Sequence, residues 1–141
     1  KEYVMQAKGN SVVIYHNPNC GTSRNVLGLI RNTGIEPTII LYLENPLNRD
    51  EIQALLNHSG LTARQALRNN VEEYTRLNLE SDHWAQDELI TFMAQHPILL
   101  NRPFVVTNKG TKLCRPSETV LEILEAPQLD EFYKENGEKV I

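Results

Sequence analysis

The sequence predicts one α/β domain in which a β-α-β unit comes first, helices fill the middle, and a β-hairpin followed by a helix closes the chain. Three observations carry this prediction: a β-branched run at 11–16, an apolar run at 38–43, and two strand-like runs around Asn108-Lys109-Gly110. With 141 residues, the chain is long enough for one core of this kind and too short for two ordinary domains.

The first part of the chain has the pattern strand, helix, strand. Ser11–His16 is β-branched and ends in a turn. From Cys20 onward the apolar residues recur on one helical face, and Gly34 stands where a helix should stop. Thr38–Leu43 is almost entirely apolar, which predicts a strand covered on both faces. A β-α-β segment of this length predicts a parallel, right-handed unit.

The middle third is predicted to be helical, as an insertion at about 48–97. Asn48 and Glu51 have the spacing of a capping box, and Gly60 ends the apolar stripe that follows. A second box opens a short helix, and a later helix is stopped by Pro97. Thr62 and Gln65 form the second box, and the short helix runs through Leu67. The later helix is marked by Leu89, Phe92, Met93 and His96.

The last third predicts a hairpin and a final helix. Pro103–Thr107 and Thr111–Cys114 flank a turn at 108–110. Pro116 suits a first helical position, with apolar residues following at helical spacing. Beyond Pro127 a marginal helix or a frayed tail is expected. This order of elements is the thioredoxin-like layout, with the helical insertion between its two halves.

Composition excludes several classes of function. No run approaches the roughly 20 apolar residues of a membrane span, and residues 1–10 lack the apolar centre of a signal peptide. They are expected to be a disordered lead-in or a remnant of an expression vector, before a single domain at 11–141. A net charge of −4 argues against nucleic-acid binding. Two cysteines cannot form the framework of a secreted domain, so a cytoplasmic protein with free thiols is predicted.

Cys20 is the strongest candidate for chemistry because it begins a predicted helix directly after a polar loop. A helix N-terminus favours the thiolate, and its free N–H groups can hold an oxyanion beside the sulfur. Gly21, Thr22, Ser23 and Arg24 are therefore predicted to bind a substrate anion. The alternative is an inert buried cysteine.

Two neighbours of Cys20 restrict what the thiol can do. Ser23 stands where a dithiol oxidoreductase has its second cysteine, so a redox cycle needs an outside thiol, or Cys114 if folding brings it near. His16 could stabilise the thiolate as an imidazolium or hydrogen-bond donor, or could be a strand-end histidine without a role. No other histidine has metal-ligand spacing, and no metal site is predicted.

Three further arginines stand at informative places: Arg68 after the short helix, Arg102 before Pro103 and Arg115 before Pro116. In a thioredoxin-like layout the start of the third strand lies beside the first helix, so Arg102 should project toward Cys20. The Arg102–Pro103 bond is a candidate for the cis form.

The sequence resembles the glutaredoxin-linked arsenate reductases from about Ser11 to Ile141. Four segments carry the resemblance: 16–25 (HNPNCGTSRN), 41–46 (LYLENP), 96–103 (HPILLNRP) and 113–118 (LCRPSE). The resemblance implies that Cys20 attacks arsenate, that His16 lowers its pKa, and that Arg68, Arg102 and Arg115 bind the oxyanion. It also implies glutathione as co-substrate, glutaredoxin as partner and no bound cofactor.

Two other functions fit the same fold. A Spx-like regulator that binds RNA polymerase resembles this chain, but that branch has a C-x-x-C motif where this chain has Ser23. The second is a monothiol, glutathione-dependent thiol transferase that acts on disulfides. An arginine cluster would have no function with such a substrate, because disulfides are neutral. The oligomeric state is not predicted.

Overall fold

The computed structural model describes residues 11–141, and the predicted lead-in at 1–10 lies outside them. A four-stranded mixed sheet organises the described chain. Its strands are β1 (Val13–Tyr15), β2 (Thr38–Ile40), β3 (Phe104–Thr107) and β4 (Gly110–Leu113), in the order β2-β1-β3-β4. β1 runs parallel to β2, and both other pairs are antiparallel. The predicted thioredoxin-like layout is confirmed.

Five α-helices and two 3-10 helices complete the described chain. The α-helices are α1 (Gly21–Arg31), α2 (Arg49–Ser59), α3 (Ala63–Ala66), α4 (Glu72–Arg76) and α5 (Gln86–Gln95), and the 3-10 helices are Pro97–Leu99 and Ser117–Glu122. Both predicted capping boxes form, at Asn48 and at Thr62. Gly60 ends α2 with a φ of 73°, a left-handed conformation that glycine adopts without steric cost. Along the chain, helices α2 to α5 come between β2 and β3.

The sheet separates two apolar layers, because successive strand side chains point to opposite faces. Ile14 and Val105 pack with α1 and the C-terminal segment on one face. Tyr15 and Phe104 pack with the insertion helices on the other. Since α1 follows β1 directly, Cys20 is held at the end of a strand that is buried on both faces.

Two of the predicted strands are corrected. β2 ends at Ile40 and is an edge strand that is exposed in part, so it is not covered on both faces. Its apolar run is explained by packing beyond the strand, where Tyr42 and Leu47 enter the core. In the hairpin, Gly110 pairs with Thr107 at the start of β4, so the turn is shorter than predicted.

The chain after β4 also differs from the prediction. The final helix is the 3-10 helix, and Pro116 is its N-cap rather than its first helical residue. The segment beyond Pro127 is neither a helix nor frayed, but crosses the outer side of α1. The ring of Phe132 covers Gly28 so closely that a Cβ there would lie 2.7 Å from it. The N–H of Leu129 donates to the Asn32 carbonyl at 2.9 Å. Within 11–141, no helix has the length and apolar character needed to cross a membrane.

Candidate active site

Cys20 is the N-cap of α1, with an extended backbone. Its own N–H donates to the Asn17 carbonyl at 3.1 Å, which closes the loop between β1 and α1. Only 7% of the residue is exposed. Burial by itself would raise the pKa of the Cys20 thiol, but a hydrogen bond from the Ser23 N–H and the charges of Arg102 and Arg115 outweigh it and hold that pKa below its usual value.

Arg102 and Arg115 are the cations beside the sulfur. Arg115 Nη1 lies 3.6 Å from Cys20 Sγ and donates to the Arg102 carbonyl at 3.1 Å. The Arg102–Pro103 bond is cis, as predicted, and so is the Arg115–Pro116 bond. Arg102 is 8% exposed, and its Nη1 donates to Asn101 Oδ1. Its buried Nε has no acceptor among the described residues, so this cation still has a donor to offer.

Arg68 follows α3 and forms the far side of the same region. Its N–H donates to the Leu99 carbonyl at 2.7 Å, and its Nε donates to Asn70 Oδ1 at 2.9 Å. Burial lowers the pKa of the Arg68 guanidinium, and the positive charge of Arg102 lowers it further. The three arginines line one cavity of about 310 Å³, and no Asp or Glu is among its described lining residues.

His16 lies next to Ser23 rather than next to the sulfur. Its Nδ1 is 2.7 Å from Ser23 Oγ, which also accepts a hydrogen bond from the Asn17 N–H. Burial lowers the pKa of His16, and the charges of Arg31 and Arg24 lower it further, so the neutral imidazole is favoured near pH 7. The imidazolium that was considered from the sequence is therefore disfavoured. Any effect of His16 on Cys20 passes through Ser23, and that effect stays a prediction.

The side chain of Arg24 has a different partner from the one predicted. Its Nε and Nη2 donate to the two carboxylate oxygens of Glu135 at 2.7 and 2.9 Å, and its Nη1 donates to the Pro18 carbonyl at 2.7 Å. Its backbone N–H is taken by the Cys20 carbonyl. Three of the five guanidinium N–H groups and the backbone N–H are therefore engaged, and Arg24 fastens the C-terminal segment to the cysteine loop. Its role in anion binding stays a prediction.

The other predicted anion-binding residues divide into Ser23, whose hydroxyl is already hydrogen-bonded, and Gly21 and Thr22, which lie at the start of α1. The hydroxyl of Ser23 is engaged by His16 and Asn17, whereas its N–H points to the sulfur. Gly21 and Thr22 are half-buried at the first turn of α1, where helix N–H groups have no partner within the helix. Glu135 was not found from the sequence, because it lies in a segment without an apolar pattern.

The side chain of Cys114 packs in the apolar core. It is fully buried in the layer between the sheet and α1, and neither cysteine is in a disulfide. Its Sγ lies 3.7 Å from the Lys112 carbonyl. Burial raises the pKa of the Cys114 thiol to about 12, so this sulfur is protonated at physiological pH.

Comparison with known proteins decides the family of this site. The model of the ArsC family matches residues 15–123, a range that contains Cys20, Arg68, Arg102 and Arg115. The chain belongs to the ArsC family. Among the relatives of this ArsC chain, an arsenate reductase of Escherichia coli is 59% identical over 94% of both chains, and one of Rhizobium meliloti is 52% identical over 93% of this chain and 94% of its own.

A solved structure agrees with this assignment. The arsenate reductase from Vibrio cholerae superimposes with a TM-score of 0.78 and 44% identity, over 84% of this chain and 100% of that one. This ArsC chain therefore shares its fold with proteins named arsenate reductase. The thiol, the helix N-terminus and the arginines are all part of that fold.

Proposed function

We propose that the chain reduces arsenate to arsenite at Cys20, with glutathione and glutaredoxin supplying the electrons. Arsenate reductase is the name of relatives that are 52% and 59% identical over almost the whole chain. The chain is therefore an arsenate reductase, an oxidoreductase of arsenic detoxification. The electron donors and the roles of the individual side chains are the proposed part of this function.

The observation that carries the proposal is a nucleophilic sulfur beside arginines that have no carboxylate partner among residues 11–141. Arg115 Nη1 is 3.6 Å from Cys20 Sγ, and the buried Arg102 Nε has no acceptor within the described chain. Arsenate is small and multiply charged, so guanidinium forks and the first-turn N–H groups of α1 suit its oxygens. The same groups stabilise negative charge that develops when sulfur attacks.

In the first step the Cys20 thiolate attacks arsenic, an S–As bond forms, and one arsenate oxygen leaves as water after protonation. Arg102 and Arg115 hold the remaining oxygens, and the N–H of Ser23 keeps the sulfur ionised before attack. Arsenic is still As(V) in this adduct. Ser23 cannot form a disulfide with Cys20, so the electrons have to come from other molecules.

Two outside thiols complete the reduction. The sulfur of glutathione displaces a second oxygen and binds to arsenic. A glutaredoxin thiolate then attacks the glutathione sulfur, the electron pair of that S–As bond passes to arsenic, and As(III) remains on Cys20. Water releases arsenite and returns the Cys20 thiol, while glutaredoxin and glutathione leave as a mixed disulfide. This route needs a reducing compartment, and we place the protein in the cytoplasm for that reason.

A coupled assay tests the proposal directly. Purified protein is mixed with glutathione, glutaredoxin, glutathione reductase and NADPH, and the reaction is started with arsenate. We expect NADPH consumption that depends on arsenate and on glutaredoxin, together with arsenite as product. Consumption that requires arsenate but not glutaredoxin would change the electron donor, and no arsenate-dependent consumption would refute the activity. Replacing arsenate with a neutral disulfide tests the thiol-transferase alternative, which predicts turnover without arsenate.

Phosphate provides a second test, because it shares the charge and shape of arsenate and binding alone should separate them poorly. We propose that selectivity lies in the reaction, since sulfur attacks arsenic readily and only the arsenic adduct can be reduced by thiols. Weak competitive inhibition by phosphate is expected in the coupled assay. Strong inhibition at cellular phosphate concentrations would contradict an arsenate-selective enzyme.

A further inference from the structure

The cavity beside Cys20 has a second wall, away from the arginine that contacts the sulfur. Arg102 and Arg115 form the end next to the sulfur, whereas the other end is formed by amide side chains and Arg68. The volume of about 310 Å³ is at the lower end of the range for small-molecule sites. It is several times what a tetrahedral oxyanion fills, so a second ligand can enter while arsenic occupies the first end.

Three amide side chains of this cavity have their oxygens engaged. Gln65 Oε1 accepts from the Thr62 N–H at 2.9 Å, and Asn70 Oδ1 accepts from Arg68 Nε at 2.9 Å. Asn101 Oδ1 accepts from Arg102 Nη1 at 3.2 Å. A backbone N–H and a guanidinium can only donate, so each amide must turn its oxygen toward that partner. Each oxygen keeps a second lone pair, and the NH₂ groups are open to solvent or to a ligand, since Gln65 and Asn70 are exposed and Asn101 is half-buried.

This arrangement makes the second wall a surface of donors. Between residues 11 and 141, no acceptor is hydrogen-bonded to the NH₂ groups of Gln65, Asn70 or Asn101, and Asn69 beside them also has an unpaired side chain. Arg64 also lines the cavity, and its positive charge has no carboxylate partner among the described residues, since its guanidinium donates to the carbonyls of Leu79 and Ser81. We call Gln65, Asn69, Asn70 and Asn101 the amide wall.

The amide wall is held at a set distance from Cys20 by main-chain contacts. The Asn101 N–H donates to the Ala66 carbonyl at 2.9 Å, and the Arg68 N–H donates to the Leu99 carbonyl at 2.7 Å. Leu67 and Leu100 form an isolated antiparallel bridge between the same segments. Asn101 directly precedes Arg102, so the amide wall and the arginine end of the cavity are carried by the same hydrogen-bonded segment.

We propose that the amide wall binds a carboxylate of the thiol co-substrate, so that the site selects a carboxylate-bearing peptide thiol such as glutathione. Amide NH₂ donors beside Arg64 and Arg68, with no carboxylate among the described lining residues, suit carboxylate and peptide carbonyl oxygens, which only accept. Because Arg115 lines this cavity and lies 3.6 Å from Cys20 Sγ, a ligand bound there is close to the sulfur that carries arsenic. This inference rests on the proposed function, because it assigns a place to the co-substrate of that reaction.

The test uses Gln65→Glu, a change designed to leave the fold intact. A glutamate at this position still accepts the Thr62 N–H and completes the capping box of α3. It removes the NH₂ donor and places a negative charge against the incoming carboxylate. Gln53→Glu on α2, outside the cavity, is the charge-matched control. Asn70→Asp is a second variant on the wall, since it keeps the acceptor for Arg68.

The reaction measured is mixed-disulfide formation at Cys20 without arsenate, followed by mass spectrometry. The Cys20 thiolate attacks glutathione disulfide, Cys20 becomes glutathionylated, and one glutathione thiolate leaves. Bis(2-hydroxyethyl) disulfide, which has no carboxylate, is the comparison reagent. We expect Gln65→Glu to slow the reaction with glutathione disulfide roughly fivefold, a loss suited to an exposed charge contact. The rate with the hydroxyethyl reagent should not change, and Gln53→Glu should change neither rate.

Three results would overturn the proposal. One is an unchanged rate with glutathione disulfide, and another is equal slowing with both disulfides, which would mean a general effect on the Cys20 thiol. The third is equal slowing with glutathione disulfide in Gln53→Glu, which would mean long-range repulsion by the added charge and not a contact at the amide wall. Because arsenate is absent, the amide wall can pass or fail this test whether or not the chain reduces arsenate in the coupled assay.

Discussion

The two cysteines of this chain are both buried, yet their surroundings move their acidity in opposite directions. Cys20 starts α1 beside Arg102 and Arg115, and its pKa is lowered although burial opposes this. Cys114 lies in an apolar layer, where burial raises the pKa of its thiol to about 12. Burial alone therefore does not decide whether a thiol reacts. The decisive features are an N–H donor at a helix start and cations close to the sulfur.

The largest effect is expected from replacing each cysteine in turn. Cys20→Ser should lower arsenate reduction at least about a thousandfold, because the nucleophile is lost. Cys114→Ser should keep most of the activity, since its buried thiol does not enter the site. The coupled assay measures both. An inactive Cys114 variant would instead indicate a disulfide relay within the chain and would remove the distinction between the two thiols.

The next effect separates arginines that face the sulfur from one that does not. Arg115→Lys removes the fork that contacts Cys20 Sγ, and kcat/KM for arsenate should fall about a hundredfold. The thiol pKa of Cys20 should rise at the same time, which alkylation rates at several pH values can measure. Arg24→Lys should change kcat/KM less than about threefold, because Arg24 is paired with Glu135. Equal losses in the two variants would contradict this division.

The stability of the fold at alkaline pH tests Cys114. Its thiol has a pKa of about 12 in the folded chain, against about 9 when unfolded, so above pH 9 the unfolded state loses its proton first. The free energy of unfolding should then fall with rising pH by up to about 1.4 kcal/mol per pH unit from this group. Urea unfolding near pH 8 and pH 10 measures the loss. Cys114→Ala should show a smaller loss, and an identical slope in both proteins would contradict the assignment.

The smallest effect concerns His16, which contacts Ser23 and not the sulfur. His16→Ala should raise the apparent pKa of Cys20 and lower activity only a few-fold, because Ser23 loses a partner that orients its hydrogen bond to the sulfur. Ser23→Ala should do the same, and the double variant should lose little more, since both act through one contact. Alkylation of Cys20 against pH is the measurement. An unchanged pKa in His16→Ala would make His16 a structural residue only.

Local signals in the sequence were sufficient for most of the fold. Capping boxes at Asn48 and Thr62, glycine at 60 and proline at 97 act within a few residues, and the elements they bound appear where they were predicted. The final helix was predicted with the wrong type, since Pro116 acts as an N-cap to a 3-10 helix. Burial of β2 was also overestimated, because a strand's place in the sheet depends on pairing and not on its own composition.

By itself the sequence determined that a cysteine stands at the start of a helix and that its motif contains no second cysteine. The predicted layout also placed Arg102 near that cysteine. Only the tertiary structure decided which arginines remain available to an anion. Arg24 is four residues from Cys20 but is bound to Glu135, 111 positions away, whereas Arg115 reaches the sulfur across 95 positions. Helix starts and turns depend on neighbours in the chain, but the partner of a charged side chain depends on which distant segments folding brings together.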